Sequence, residues 1–203
     1  TAWNDTAAVA DGAGGVTLAK TYTFRRGEST IGVRHELGNA AAEPVTPQLY
    51  LQLARDGNPP EGESSFYFTF TGPAVYSDAG KFQKVDFKDI AKGNAGHAKN
   101  GDDGWVAMVQ HYFASAWLAP VAGPREFRTA KVADNHYTVA MVLPLGEVAP
   151  GATASAAAAD SRPMPAKARP MRRARGTMNT IVHDCDRPSA IANSNRSRRE
   201  VTI

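Results

Sequence analysis

A single cysteine, Cys185, occurs in the 203 residues. An internal disulfide framework is therefore excluded, and so is a cysteine-built structural zinc site. That scarcity fits a cytosolic chain and equally a periplasmic domain that folds without disulfides. No apolar run approaches the roughly 18 residues that a membrane span requires. No signal peptide is visible and the first residue is Thr1 rather than Met. The expectation is a fragment or processed piece, whose missing targeting signals say nothing about the parent protein. Aromatic residues are absent after residue 150, although they make up 8% of the chain. Acidic residues thin out in the same place: residues 151–203 carry a net charge of +6, against −3 for residues 1–150. Such a shift marks a compositional boundary near Pro150-Gly151.

What is present suffices for one core. The hydrophobic fraction of 42% is that of a globular domain, here one domain plus a tail. Residues 16–24, VTLAKTYTF, place Val16, Leu18, Tyr22 and Phe24 at one parity, with Lys20 the exception. TIGVRHEL follows with Ile31, Val33, His35 and Leu37 on one face, and Arg26-Gly27-Glu28 between the two runs predicts a β-hairpin. VTPQLYLQLA alternates again through Leu49, Leu51 and Leu53, with Pro47 confined to a strand start or an edge. DGNPPEGESS, residues 56–65, has loop composition, and FYFTF then aligns Phe66, Phe68 and Phe70. Weaker strand candidates lie at 82–87, 125–132 and 136–143, the last with Tyr137, Val139, Met141 and Leu143 on one side.

DGWVAMVQHYFASAWLAP resists this reading. Counted from Trp105, the bulky residues Met108, Val109, Tyr112, Phe113 and Trp117 fall at helical spacing. Their types, largely Trp, Val, Tyr and Phe, favour strands. Pattern alone leaves helix and strand both open.

Candidate site residues are few. His35, His97, His111 and His136 have no metal-ligand spacing and read as structural or surface histidines. A sugar epimerase would need histidines and a carboxylate converging for acid–base work. His35, His111 and Glu36 are the candidates, yet His35 and Glu36 alternate in face along one strand. DGAGG (11–15) has the glycines of a phosphate loop but runs into a strand, and reads as a turn. Asp102-Asp103 reads as a solvated turn, and Asn4-Asp5-Thr6 fits a glycosylation sequon. Trp105, Tyr112, Phe113 and Trp117 read as core rather than a ligand platform. No catalytic residue, cofactor or metal is expected.

Several stretches together resemble the large periplasmic domain of the YidC family of bacterial membrane-protein insertases. They are KTYTFRRG (20–27), GNAAAEPV (38–45), LARDGNPPEGES (53–64), FTGPAVYSDAGKFQKVDFKDIA (70–91) and GWVAMVQHYFASAWLAP (104–120). The loop DGNPPEGES resembles the β-proteobacterial branch. The resemblance implies an all-β fold, a β-supersandwich similar to galactose mutarotase, in which residues 104–120 are mostly extended; a bend near Gln110-His111 would explain the failed alternation. It implies an accessory, non-enzymatic domain on the periplasmic side of the inner membrane, whose parent inserts and folds inner-membrane proteins. The partners implied are Sec translocon components and nascent inner-membrane proteins. A carbohydrate-binding or aldose-epimerase-like sandwich is the alternative, and nucleic-acid binding through the tail a third reading.

The organisation expected is residues 1–15 as linker or fragment start, 16–155 as a partial domain and 156–203 as a basic tail. A partial sandwich would leave the rows Phe66/Phe68/Phe70 and Ile31/Val33/Leu37 short of cover. In the tail, Arg162, Lys167, Arg169, Arg172, Arg173 and Arg175 are interrupted by Pro163, Pro165 and Pro170. Phosphates or anionic headgroups would suit this cluster, but it lacks aromatic residues for base stacking, and nucleic acid is not expected. Its Ala/Arg/Pro/Ser-rich text matches either a disordered arm or out-of-frame translation of a GC-rich gene.

Overall fold

The computed structural model describes residues 2–11, 15–60, 69–110, 113–161 and 177–184. Two antiparallel sheets face each other. The larger takes β1 (Ala2–Asp11), β2 (Val16–Arg25), β3 (Thr30–Asn39), β5 (Gly72–Ser77), β6 (Lys81–Lys84), β8 (Trp105–Gln110), β9 (Phe113–Leu118) and β12 (Thr153–Ser161). The smaller takes β4 (Pro47–Asp56), β7 (Asn100–Gly101), β10 (Arg125–Ala133), β11 (His136–Pro144) and β13 (Thr177–Asp184), and a short helix, α1 (Phe87–Ala91), follows β6. Spatial order is β1-β2-β3-β12-β9-β8-β5-β6 over β13-β4-β11-β10-β7.

The local sequence accounts for most of these elements. β2 and β3 pair from Val16↔Asn39 to Phe24↔Ile31 around the expected turn, where Gly27 has φ +83° and Glu28 N–H donates to the Arg25 carbonyl at 3.1 Å. Pro47 opens β4, where its missing N–H costs least. The candidate strand at 82–87 ends at Lys84, and Phe87 already begins the helix.

The ambiguous stretch is a hairpin. Trp105 pairs with Leu118, Val106 with Trp117 and Gln110 with Phe113, so the chain reverses between β8 and β9. Val106, Met108 and Trp117 face the main core with Leu49, Leu51, Phe127, Val139 and Met141. The opposite face carries Ala107 and Ala116 beside Ala74, flanked by Trp105, Val109 and Leu118. A strand buried on both faces has no polar alternation to display. The helical spacing arises because the reversal resets parity midway.

Two expected boundaries differ. Residues 1–15, read as linker or fragment start, hold β1, paired with β2 from Ala2↔Arg25 onward. The break expected after residue 155 falls inside β12, which inserts between β3 and β9 through Ala156↔His35 and Ala159↔Leu118. An alanine-rich strand fits there because its neighbours supply the bulk: Ala158 is 3% exposed next to Val33. Farther on, Thr177–Asp184 forms a further strand of the smaller sheet. The basic cluster 162–175 and Cys185 lie outside the described residues.

The row Ile31/Val33/Leu37 is not short of cover. Val33 and Leu37 are 2% and 1% exposed; Val33 joins the main core, and Leu37 packs with Val45 and Val148, themselves bridged across two loops. Phe66 and Phe68 lie outside the described residues, and Phe70 is half-buried just before β5.

Candidate functional site

His35 lies at the centre of β3, with Lys20 of β2 and Ala156 of β12 as its register partners. Period-2 geometry puts these three side chains on the inner face. The imidazole is 1% exposed, and neither Nδ1 nor Nε2 has a hydrogen-bond partner. Burial, and then the Lys20 charge, push its pKa down to about 4, so it is neutral at physiological pH. Burial likewise brings the Lys20 ammonium down to about 8, and its Nζ lies 4.9 Å from the Tyr22 ring centroid. Lys20 was visible in the sequence only as a break in alternation; its inward position follows from the pairing.

A carboxylate for acid–base work is not brought to this spot from the expected position. Glu36 projects from the opposite face of β3, where Arg34 Nη2 donates to its Oε1 at 2.9 Å. His136 opens β11 in the other sheet and is exposed. His97 sits in the loop before β7 and is consumed structurally, Nδ1 2.7 Å from the Ala98 carbonyl and Nε2 3.0 Å from Thr129 Oγ1. His111 and Tyr112 lie outside the described residues. Among the described residues no group of three His, Cys, Asp or Glu side chains could hold a metal. The same residues contain no helix long and apolar enough to cross a membrane.

The remaining candidates are scaffold. Asp103 Oδ2 accepts from the Asp78 N–H at 2.9 Å, while Asp102 contributes its carbonyl to Gly123 N–H at 2.8 Å. Gly15 of the glycine-rich segment has φ +83° at a bend, and residues 12–14 are outside the described set. Trp117 is fully buried; Trp105 is half-buried and stacks on Tyr76 at 5.5 Å between centroids. Phe113 is half-buried.

Sequence reasoning missed Arg125, which is 4% exposed. Its Nε donates to the Gly123 carbonyl at 3.2 Å, Nη1 to Gly104 at 2.8 Å and Nη2 to Val121 at 2.7 Å. One planar fork thus ties the 102–104 turn to the 121–123 turn. Gly104 permits the close approach: it has φ +109°, and a Cβ there would sit 2.0 Å from the Tyr76 carbonyl. An open groove of about 550 Å³ runs past this fork, lined by Gln48, Asn100, Glu126 and Val142 among others. Arg125 is committed to carbonyls, and Glu126 is held below the usual carboxylate range by the Arg128 guanidinium, 2.6 Å away. A lysine places one ammonium where three directed donors are needed. Arg125→Lys is therefore expected to cost about 1–3 kcal/mol in urea unfolding, through carbonyls left unpaired; an unchanged midpoint would refute the clamp.

Two antiparallel sheets packed face to face, with an eight-stranded layer over a five-stranded one, define an all-β supersandwich domain. Among the described residues, its inner face presents a neutral buried imidazole beside a lysine. The chain belongs to the family of YidC periplasmic domains, whose family model matches residues 6–159. The membrane protein insertase YidC of Janthinobacterium sp. (strain Marseille) is 55% identical over 141 residues, 70% of this chain and 25% of that protein. Those of Herminiimonas arsenicoxydans and Bordetella petrii are 53% and 51% identical over the same 70% of this chain and 25% of their own length. The chain thus spans about a quarter of the curated relatives it matches, which are β-proteobacterial. The family places the domain on the periplasmic side of the inner membrane. Among solved structures, the galactosidase domain of the α-galactosidase-sucrose kinase AgaSK is similar at TM-score 0.39 and 12% identity, over 73% of this chain and 22% of that one. A crystal structure titled a putative aldose 1-epimerase from Klebsiella pneumoniae gives 0.30 and 10%, over 78% and 49%.

Proposed function

We propose that the chain acts as an accessory domain while its parent inserts and folds inner-membrane proteins, alone or with the Sec translocon, and that it performs no catalysis of its own. The observation that carries this reading is the match of residues 6–159 to a periplasmic domain, together with relatives about half identical that are named membrane protein insertases. Nascent inner-membrane proteins and Sec components are the partners proposed. The placement of Glu36 away from His35 supports the non-catalytic part, because proton donor and acceptor must converge on one substrate.

The test is a parent insertase lacking the segment equivalent to residues 6–159. It is expected to keep inserting a Sec-independent test protein and to lose at least half of its co-purification with Sec components. Complete loss of insertion would overturn the accessory role, and unchanged co-purification the Sec contact. The intact chain is also expected to leave the interconversion of aldose anomers at its uncatalysed rate. Acceleration abolished by His35→Ala would establish the epimerase reading instead.

A further inference from the structure

Four exposed bases of this domain are neutralised in place: Arg25 by Glu28, Arg34 by Glu36, Arg128 by Glu126 and Lys131 by Asp134. The stretch from β6 through α1 differs. Lys81, Lys84, Lys88 and Lys92 are all exposed there, and among the described residues no ion pair involves any of them. With Asp86 and Asp89, residues 81–92 carry a net charge of +2, against −5 for the remainder of residues 1–150. The fold sets these lysines along one flank. β6 is the outermost strand of the larger sheet, and α1 follows it directly. Phe87 and Ile90 turn α1 inward onto Val85 and Tyr137, and Lys88 and Lys92, one helical turn apart, are left outside. Phe82, between Lys81 and Lys84, is 47% exposed. It heads a cross-strand row, Phe82↔Tyr76↔Trp105, on the face of the sheet turned away from the main core. The Phe82 ring lies 5.9 Å from that of Trp105, which stacks on Tyr76, and Lys84 Nζ lies 5.2 Å from the Phe70 ring centroid.

We propose that the β6–α1 flank, with Lys81, Lys84, Lys88 and Lys92 around Phe82, docks on an anionic phospholipid surface. The membrane on whose periplasmic side the family places this domain supplies that surface. Charge complementarity carries the argument: the cations that the protein itself leaves unneutralised are gathered on one flank of an otherwise acidic body. Ammonium groups on long methylene stems reach headgroup phosphates while the stems lie along the interface. Aromatic rings settle at the level of the headgroups, where Phe82 and the row behind it would sit. Asp78, at the β5–β6 turn, accepts from the Tyr76 hydroxyl at 3.0 Å. The contact therefore runs along β6 and α1 rather than over the tip of that hairpin. One exposed ring and four ammonium groups give a reversible attachment rather than a permanent anchor.

The experiment uses the full chain with vesicles of phosphatidylcholine, alone or with phosphatidylglycerol added, part of the lipid carrying brominated acyl chains. Bromine quenches a tryptophan that reaches the interface. The unaltered chain is expected to bind the phosphatidylglycerol vesicles at least about tenfold more tightly than the others and to be released as salt is raised. It is also expected to show quenching that Trp105→Phe removes in large part. Lys84→Glu with Lys88→Glu is expected to weaken binding at least about tenfold, and Lys84→Arg with Lys88→Arg to leave it within about twofold. Phe82→Ser should weaken binding and reduce the quenching. All three positions are exposed, so amide protection in β8 and β9 is expected to stay that of the unaltered chain. Salt release and Trp105 quenching test the proposal with no change to the flank at all. Equal binding to both vesicles, or binding indifferent to the charge reversal, would overturn it. So would binding that leaves Trp105 unquenched, which would assign the lipid contact to the basic cluster at 162–175. Absence of binding would overturn it too and direct the four lysines to an acidic protein instead.

Discussion

Replacing Trp117 with alanine is expected to remove about 3–5 kcal/mol of stability. The indole is fully buried in β9, within the cluster that runs from Val33 to Met141. Its Nε1 donates to the Gln52 carbonyl of β4 at 3.1 Å. The substitution therefore opens a cavity between the sheets and cuts a hydrogen bond that joins them. Trp117→Phe separates the two losses, since phenylalanine restores most of the volume but no donor; about 1–2 kcal/mol is expected for it. A domain of this kind is held by about 5–15 kcal/mol, so the alanine variant should be partly unfolded near physiological temperature. Urea unfolding followed by circular dichroism measures both. An alanine variant that loses less than 1 kcal/mol would show that the sheets do not pack over this residue.

Acid should weaken the domain through His35. Its pKa is about 4 in the folded chain and 6.5 in the unfolded one. Between those values the unfolded state holds more protons, so stability falls as pH falls. The penalty for burying His35 against its protonation is absent above pH 6.5, grows through the interval and is complete by about pH 4. The total is about 3 kcal/mol for a shift of this size. Protonation places a second cation beside Lys20 in a position where neither ring nitrogen has an acceptor. Glu126, also depressed, loses its own contribution in a lower window, as it is protonated below the ordinary carboxylate range. His35→Leu isolates the imidazole. The variant should be more stable at neutral pH, because an unpartnered polar ring leaves the core. It should also lose the slope between pH 6.5 and 4. A slope unchanged by the substitution would assign the acid lability elsewhere.

The order of pairing has a consequence for how these two effects combine. Val33 and Ala158 link the β3–β12 seam to the same cluster that contains Trp117, so His35 lies two register pairs along that seam from the main core. Neighbouring sites of this kind do not add freely. The loss caused by Trp117→Ala should accordingly be larger at pH 5 than the sum of the separate effects if the seam opens with the core.

Several features were fixed locally and could be read without a structure. The hairpin of β2 and β3 follows from two alternating runs around Arg26-Gly27-Glu28, because side-chain parity and turn chemistry act over a few residues. Pro47 at the head of β4 and the opposition of His35 and Glu36 follow in the same way. Family membership was legible in five short stretches, since loops and turns carry residue choices that burial does not dictate. Tertiary structure alone decided the rest. Val106, Ala107 and Met108 are 0%, 2% and 9% exposed, so β8 is covered on both faces, and no periodicity could tell it from a buried helix. β12 looked like the start of a low-complexity tail because its alanines have no pattern of their own; the gap between β3 and β9 gives them one. Arg125 looked like any surface base until the distant 102–104 turn brought the Gly104 carbonyl to a guanidinium already held by the neighbouring Val121 and Gly123 carbonyls. Contacts between segments far apart in the chain leave no local trace, which is why the sheets' order and the buried polar positions had to come from the fold.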